Sequence, residues 1–61
     1  MTQQQYTHRR AQLVGELINL RLSKHFPRCV NHRIRLIAKL DYEWDGTPIE
    51  ETFRLFNYKP I

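Results

Sequence analysis

The chain has few of the features that stabilise small proteins. It has 61 residues and one cysteine, Cys29, so no disulfide can form within one copy. Domains of this size bury only about 60% of the surface that their unfolded chain exposes, and they commonly need a metal, a disulfide or a partner. One free thiol suits a reducing compartment, so we expect a cytoplasmic protein.

Long apolar runs and catalytic motifs are also missing. No run of about 18 apolar residues occurs, and Met1 to Gln5 lack the features of a signal peptide. Two glycines are too few for a glycine-rich phosphate loop, and neither Gly-x-Ser-x-Gly nor His-Glu-x-x-His is present. We therefore predict no membrane contact, no cofactor and no enzymatic activity.

Acidic residues are scarce in the first two thirds of the chain. Glu16 is the one acid before Asp41, against eight lysines and arginines, and the formal net charge is +4. Five of the six acids follow from Asp41 onward. A molecule polarised in this way can steer an anionic partner to one end. The alternative is solvated charge that keeps a small domain soluble.

The first 25 residues predict an amphipathic helix. Thr2 and Gln5 have the spacing of a capping box, and no proline occurs before Pro27. Apolar residues recur at helical spacing: Leu13, Val14, Leu17, Ile18 and Leu20. An alternative for residues 1–5 is a disordered polar arm.

Three basic residues of this helix fall on the same side as its apolar stripe. Arg10, Arg21 and Lys24 cannot bury their charges without a partner, because that costs several kcal/mol or more. We expect the helix ends to overhang the core so that these side chains reach water. The alternative is that this side meets an anionic group.

The segment from Val30 to Tyr58 predicts a long β-hairpin that turns at Asp45-Gly46. Asp-Gly favours a type I′ turn, and apolar residues alternate with polar ones as in a strand. The alternating apolar positions are Val30, Ile34, Leu36, Ala38, Leu40, Tyr42 and Trp44. Ile37 is the large apolar exception on the other parity.

We therefore predict an α+β fold, with the order helix, strand, strand in a single domain over residues 1–61. A lone hairpin is rarely stable, and its open edges invite pairing with another chain. Two copies joined edge to edge would form a four-stranded sheet. A homodimer is the expected state.

The second face of the hairpin predicts the binding site. Basic side chains neutralise phosphates and aromatic rings stack on bases, so we predict a nucleic-acid-binding or regulatory protein. The alternative is an inhibitor or adaptor that docks a protein partner on this face or on an open strand edge. The site residues are Arg33, Arg35, Lys39, Arg54, Phe56 and Tyr58, with Arg10, Arg21 and Lys24 adding contacts.

Two other kinds of site are not expected. His25, Cys29 and His32 have a spacing that zinc accepts, but three ligands are one short of a structural site, so we predict no metal. Groove reading by a helix-turn-helix is also not expected, because the predicted fold has no second helix.

Overall fold

The computed structural model of the protein describes residues 1–23 and 27–58. Within these residues the chain forms three helices and no strand: α1 (Gln3–Leu22), α2 (Pro27–Asp45) and α3 (Ile49–Leu55). The predicted α+β fold is therefore wrong, and so are the β-hairpin and the four-stranded sheet of a homodimer. The described chain is an all-α three-helix bundle.

The N-terminal helix is confirmed, together with its capping box. The Thr2 hydroxyl accepts a hydrogen bond from the Gln5 amide at 3.1 Å, and the Gln5 side chain accepts one from the Thr2 amide at 3.0 Å. These bonds satisfy two of the amides that a helix N-terminus leaves unpaired, so the helix begins at Gln3. Leu13 and Leu17 on its inner face are buried.

The second helix replaces the first predicted strand. Its buried positions follow one another at helical spacing: Val30, Asn31, Ile34, Ile37, Ala38 and Asp41. Because α1 and α3 both pack against this helix, its apolar arc is wide, and the leucines beside these positions are half-buried as well. Because the apolar arc is wide, most even-numbered positions from 30 to 44 carry apolar residues, and the sequence alternates as a strand would.

Asp45-Gly46 ends α2 instead of turning a hairpin. Gly46 has a φ of 77° and its amide donates to the carbonyl of Tyr42 at 2.9 Å. The Asp45 carboxylate accepts hydrogen bonds from the Thr47 amide at 3.0 Å and from the Thr47 hydroxyl. A left-handed glycine serves equally well after a helix and in a type I′ turn, so the dipeptide is compatible with both.

The third helix ends in a Schellman motif. Asn57 has a φ of 58° and its amide donates to the carbonyl of Arg54 at 3.0 Å. The amide of Tyr58 donates to the carbonyl of Phe53, also at 3.0 Å. In this motif the residue after the left-handed position commonly packs back on the helix. Tyr58 accordingly packs against the core that contains the fully buried Phe53.

The second helix is the centre of the bundle. Both other helices pack closely against it, whereas the backbones of α1 and α3 do not approach each other closely within the described residues. α1 runs antiparallel to α2, since Tyr6 stacks on Trp44 at 4.8 Å between ring centroids and Glu16 pairs with Arg33. The core consists of Leu13, Leu17, Val30, Ile34, Ile37, Ala38 and Phe53.

One buried carboxylate joins all three helices. Asp41 of α2 is 4% exposed. From α1, the Tyr6 hydroxyl donates to its Oδ1 at 2.7 Å and the Arg10 Nε donates to the same oxygen at 3.0 Å. From α3, the Thr52 hydroxyl donates to Oδ2 at 2.9 Å. Both carboxylate oxygens are thus hydrogen-bonded, which burial of a charge requires.

The pKa of Asp41 shows whether burial or hydrogen bonding has the larger effect on this carboxylate. Burial alone would raise it, because a low dielectric disfavours the charged carboxylate. The hydrogen bonds from Arg10, Tyr6 and Thr52 and the charge of Arg10 act in the opposite direction. The pKa is lowered from its usual 3.8, so the folded state holds Asp41 ionised.

Replacing this charge should destabilise the fold. We expect Asp41→Asn to lower the free energy of unfolding by about 2–4 kcal/mol, because Arg10 would keep a half-buried charge without its counterion. Urea unfolding measures the loss. Glu43→Gln is the matched control, since Glu43 is exposed on the same helix, and a similar small loss in both variants would contradict the role of Asp41.

The lowered pKa also predicts a pH dependence. A carboxyl group whose pKa is lower in the folded state contributes stability that is complete above its unfolded pKa and is lost as the pH falls through its folded pKa. For Asp41 the loss therefore begins near its usual pKa of 3.8 and continues below it. We expect Asp41→Asn to flatten this acid limb in urea titrations. An unchanged slope would contradict the prediction.

The two glycines should respond oppositely to alanine. At Gly46, with φ 77°, a Cβ is strained, so Gly46→Ala should cost about 1–2 kcal/mol. At Gly15, inside α1, a Cβ would meet no atom within 4 Å, so Gly15→Ala should stabilise the helix by up to about 1 kcal/mol. Thermal unfolding of both variants tests the pair, and a stabilising Gly46→Ala would contradict it.

Candidate binding surfaces

The predicted site residues are spread over the three helices and do not form one surface. The structure brings together Arg35 with Lys39, on the exposed side of α2, and Arg21 of α1 with Tyr58 after α3, whose ring lies beneath the guanidinium. Of the others, Arg33 is half-buried on α2, Arg54 is exposed on α3, Phe56 follows α3, Arg10 is on α1, and Lys24 lies outside the described residues.

Two of the predicted arginines bind carboxylates within the fold. Arg10 pairs with Asp41, so the anionic group that meets this side of α1 belongs to the chain itself, and Arg10 does not overhang the core. Arg33 is half-buried and pairs with Glu16 across the α1–α2 interface. Local periodicity gives no sign of the Arg10–Asp41 pair, because its members are far apart along the chain and lie on different helices.

The aromatic rings are also used internally. Phe56 and Tyr58 are half-buried against the core, and the Arg21 guanidinium lies 5.6 Å from the ring centroid of Tyr58. With no strand in the described chain, there is no sheet face and no strand edge. The predicted function, binding of nucleic acid or of a protein partner through an arginine and aromatic sheet face, is therefore wrong.

The structure shows a different basic surface on α2. Arg28, His32, Arg35 and Lys39 are all exposed and follow one another at three- and four-residue spacing, so they lie on one side of the helix. We call these four residues the basic face. At 1.5 Å per residue it extends about 16 Å along the helix axis.

The predicted strand separates residues that the helix places together on the basic face. In a strand, His32 and Arg35 point to opposite sides, whereas in a helix they are one turn apart. Arg28 lay before the predicted strand and was not joined to it. The signal that could have revealed the face was the same helical spacing that Val30, Ile34 and Ile37 follow.

The acidic residues lie at the other end of α2. Glu43 and Asp45 near the end of this helix are exposed, as are Glu50 and Glu51 in the first turn of α3. The carboxylates of that first turn are favourable near the positive end of the helix dipole. Along α2 the exposed charge thus changes from basic to acidic after Lys39.

Neither a metal site nor a membrane span is found in the described part of the chain. Cys29 is exposed, as is His32, but no three His, Cys, Asp or Glu residues among those described are grouped to hold a metal ion. His25, the third residue of the predicted spacing, lies outside the described residues. None of the described helices is long and apolar enough to cross a bilayer.

Comparisons with protein-family models, with curated proteins and with solved structures find no match to this chain. The proposed function therefore depends on the surfaces of the bundle.

Proposed function

We propose that this protein is a non-enzymatic binding protein whose partner is nucleic acid, held through its phosphates by the basic face of α2. The observation that carries the proposal is the exposed row Arg28, His32, Arg35 and Lys39, which no acidic side chain interrupts. This surface lies on a helix, so the proposal does not depend on the sheet that the structure excludes.

The basic face suits a phosphate backbone in its length and spacing. Its four residues follow one another at intervals of about 4.5–6 Å along the helix axis, and the three arginine and lysine residues at about 10.5 and 6 Å. A duplex carries one negative charge per about 1.7 Å of its axis, so a row about 16 Å long spans several phosphates. Release of the counterions from these phosphates would supply the affinity.

Several aromatic residues are engaged within the fold. Phe53 is fully buried, Trp44 stacks on Tyr6, and Tyr58 lies beneath Arg21. These rings do not offer their faces to unpaired bases, which single-strand binding commonly uses, whereas Tyr42 is 58% exposed on α2 three residues beyond Lys39. Phosphate contacts by themselves carry no sequence information. We therefore expect binding that tolerates changes of sequence.

Salt dependence tests the proposal. With three permanently charged residues on the basic face, the logarithm of the association constant for a duplex should fall with the logarithm of salt at a slope of about −3. Arg28→Gln and Lys39→Gln should each reduce the magnitude of that slope by about 0.9, because each removes one phosphate contact. Fluorescence anisotropy of a labelled duplex over a salt series measures the slope.

Arg54→Gln is the matched control, because it removes the same charge from an exposed position on α3. Its slope should equal that of the unmodified protein. An equal reduction in all three variants would assign the binding to net charge and contradict the site. Absence of binding at low salt would contradict the proposed partner, and circular dichroism verifies that each variant remains helical.

A further inference from the structure

A cavity interrupts the basic face in the first half of α2. Its volume is about 340 Å³, and the described residues that line it are Arg28, Asn31, His32 and Arg35. None of these four residues is acidic, and the side chain of each has at least one N–H group. The cavity therefore presents positive charge and hydrogen-bond donors, which together suit an anion. It is at the lower end of the range for ligand sites, about 300–1,000 Å³, so it admits one small group.

Asn31 lies deepest among the residues that line the cavity. It is 5% exposed, whereas the other three are exposed at the surface. It lies about 15 Å from Asp41 along α2, so it is outside the group of hydrogen bonds around that carboxylate. A side-chain amide has two N–H donors and an acceptor oxygen, so it can keep a contact within the fold and also donate into the cavity. The cavity thus has a polar floor beneath a basic rim.

The two arginines of the cavity can approach one group from opposite ends. Arg28 and Arg35 are two helical turns apart, about 10.5 Å along the axis, and His32 lies between them. The Arg35 Cζ lies 5.9 Å from the ring centroid of the fully buried Phe53, which restricts where this guanidinium can lie. The five N–H donors of a guanidinium lie in its plane, so contact of its face with a ring is compatible with hydrogen bonds from its edge.

We propose that this cavity binds a phosphate monoester at the end of a nucleic-acid strand, an inference that rests on the proposed function. A monoester carries about −1.5 to −2 charges at pH 7 and three acceptor oxygens. A phosphate within a strand carries one charge and is bonded to both neighbouring sugars, so it has fewer oxygens to offer. Donors from four side chains match the additional oxygen and charge of the monoester. The next phosphates of the strand then follow the basic face toward Lys39, which does not line the cavity.

Phosphorylation of one end of a short duplex tests the inference. We expect a duplex with one 5′- or 3′-phosphate to bind about tenfold or more tightly than the same duplex with hydroxyl ends, because one hydrogen bond to a charged group corresponds to about that factor. Fluorescence anisotropy at low salt measures both arms, and the arm that shows the gain identifies the end that is bound. A gain in neither arm would overturn the inference.

A hydroxyl-ended duplex that is one base pair longer controls for charge. It adds two phosphate charges to the duplex, nearly as many as one monoester, but no monoester. It should bind as the shorter hydroxyl-ended duplex does. If the longer duplex gains as much affinity as the phosphorylated one, charge alone explains the gain and the monoester site is overturned.

The same titrations separate this inference from the proposed function. Equal binding of all the duplexes, with a salt slope of about −3 retained, would overturn the monoester site and leave the basic face as the nucleic-acid site. Absence of binding to every duplex at low salt would overturn both.

Two substitutions on the basic face locate the site. Arg28→Gln removes an exposed guanidinium from the cavity, so most of the preference for the phosphorylated duplex should be lost. Lys39→Gln is the matched control: it removes a charge from the same face outside the cavity, so both duplexes should bind more weakly and their ratio should stay about tenfold. A preference that Arg28→Gln retains, or that both variants lose equally, would overturn the site. Circular dichroism verifies that both variants remain helical.

Discussion

The arrangement of the bundle depends on compensation of the buried charge of Asp41. The backbones of α1 and α3 do not approach each other closely within the described chain, and each packs closely on α2. Hydrogen bonds from Tyr6, Arg10 and Thr52 converge on this one carboxylate. A shift of either outer helix along α2 would remove donors from a charge that is only 4% exposed. The hydrogen bonds to Asp41 therefore favour one position of α1 and α3 along α2, which apolar packing alone would specify less strictly.

The N-terminal part of the chain could be predicted because its signals are local. The capping box at Thr2 and the apolar stripe through Leu13 and Leu17 act within a few residues, and the structure confirms both except at Ile18, which is 51% exposed. The secondary structure of the chain after Pro27 could not be predicted from the alternation of apolar and polar residues. A helix covered on two sides has apolar residues over much of its circumference, and these coincide with strand periodicity. Ile37, which broke the alternation, was the residue that indicated the helix.

The surfaces were less predictable than the first helix because they depend on pairing between helices. Arg10 resembled a residue that extends to solvent, yet its partner lies on another helix. Tyr58 resembled a ring available for stacking, yet it packs on the core and beneath Arg21. Arg35 and Lys39 were placed together correctly, since a separation of four residues puts two side chains on one side of either a strand or a helix.

The central position of α2 has a consequence for how the molecule opens. α3 has seven residues, too few for a helix that persists alone in water, and among the described helices its backbone lies close to α2 alone. Its undocking would leave α1 and α2 still paired through the Tyr6–Trp44 stack and the Arg10–Asp41 bridge. Amide hydrogens of α3 should then exchange with solvent through this partial opening. Those at the centre of α2 should exchange only through global unfolding.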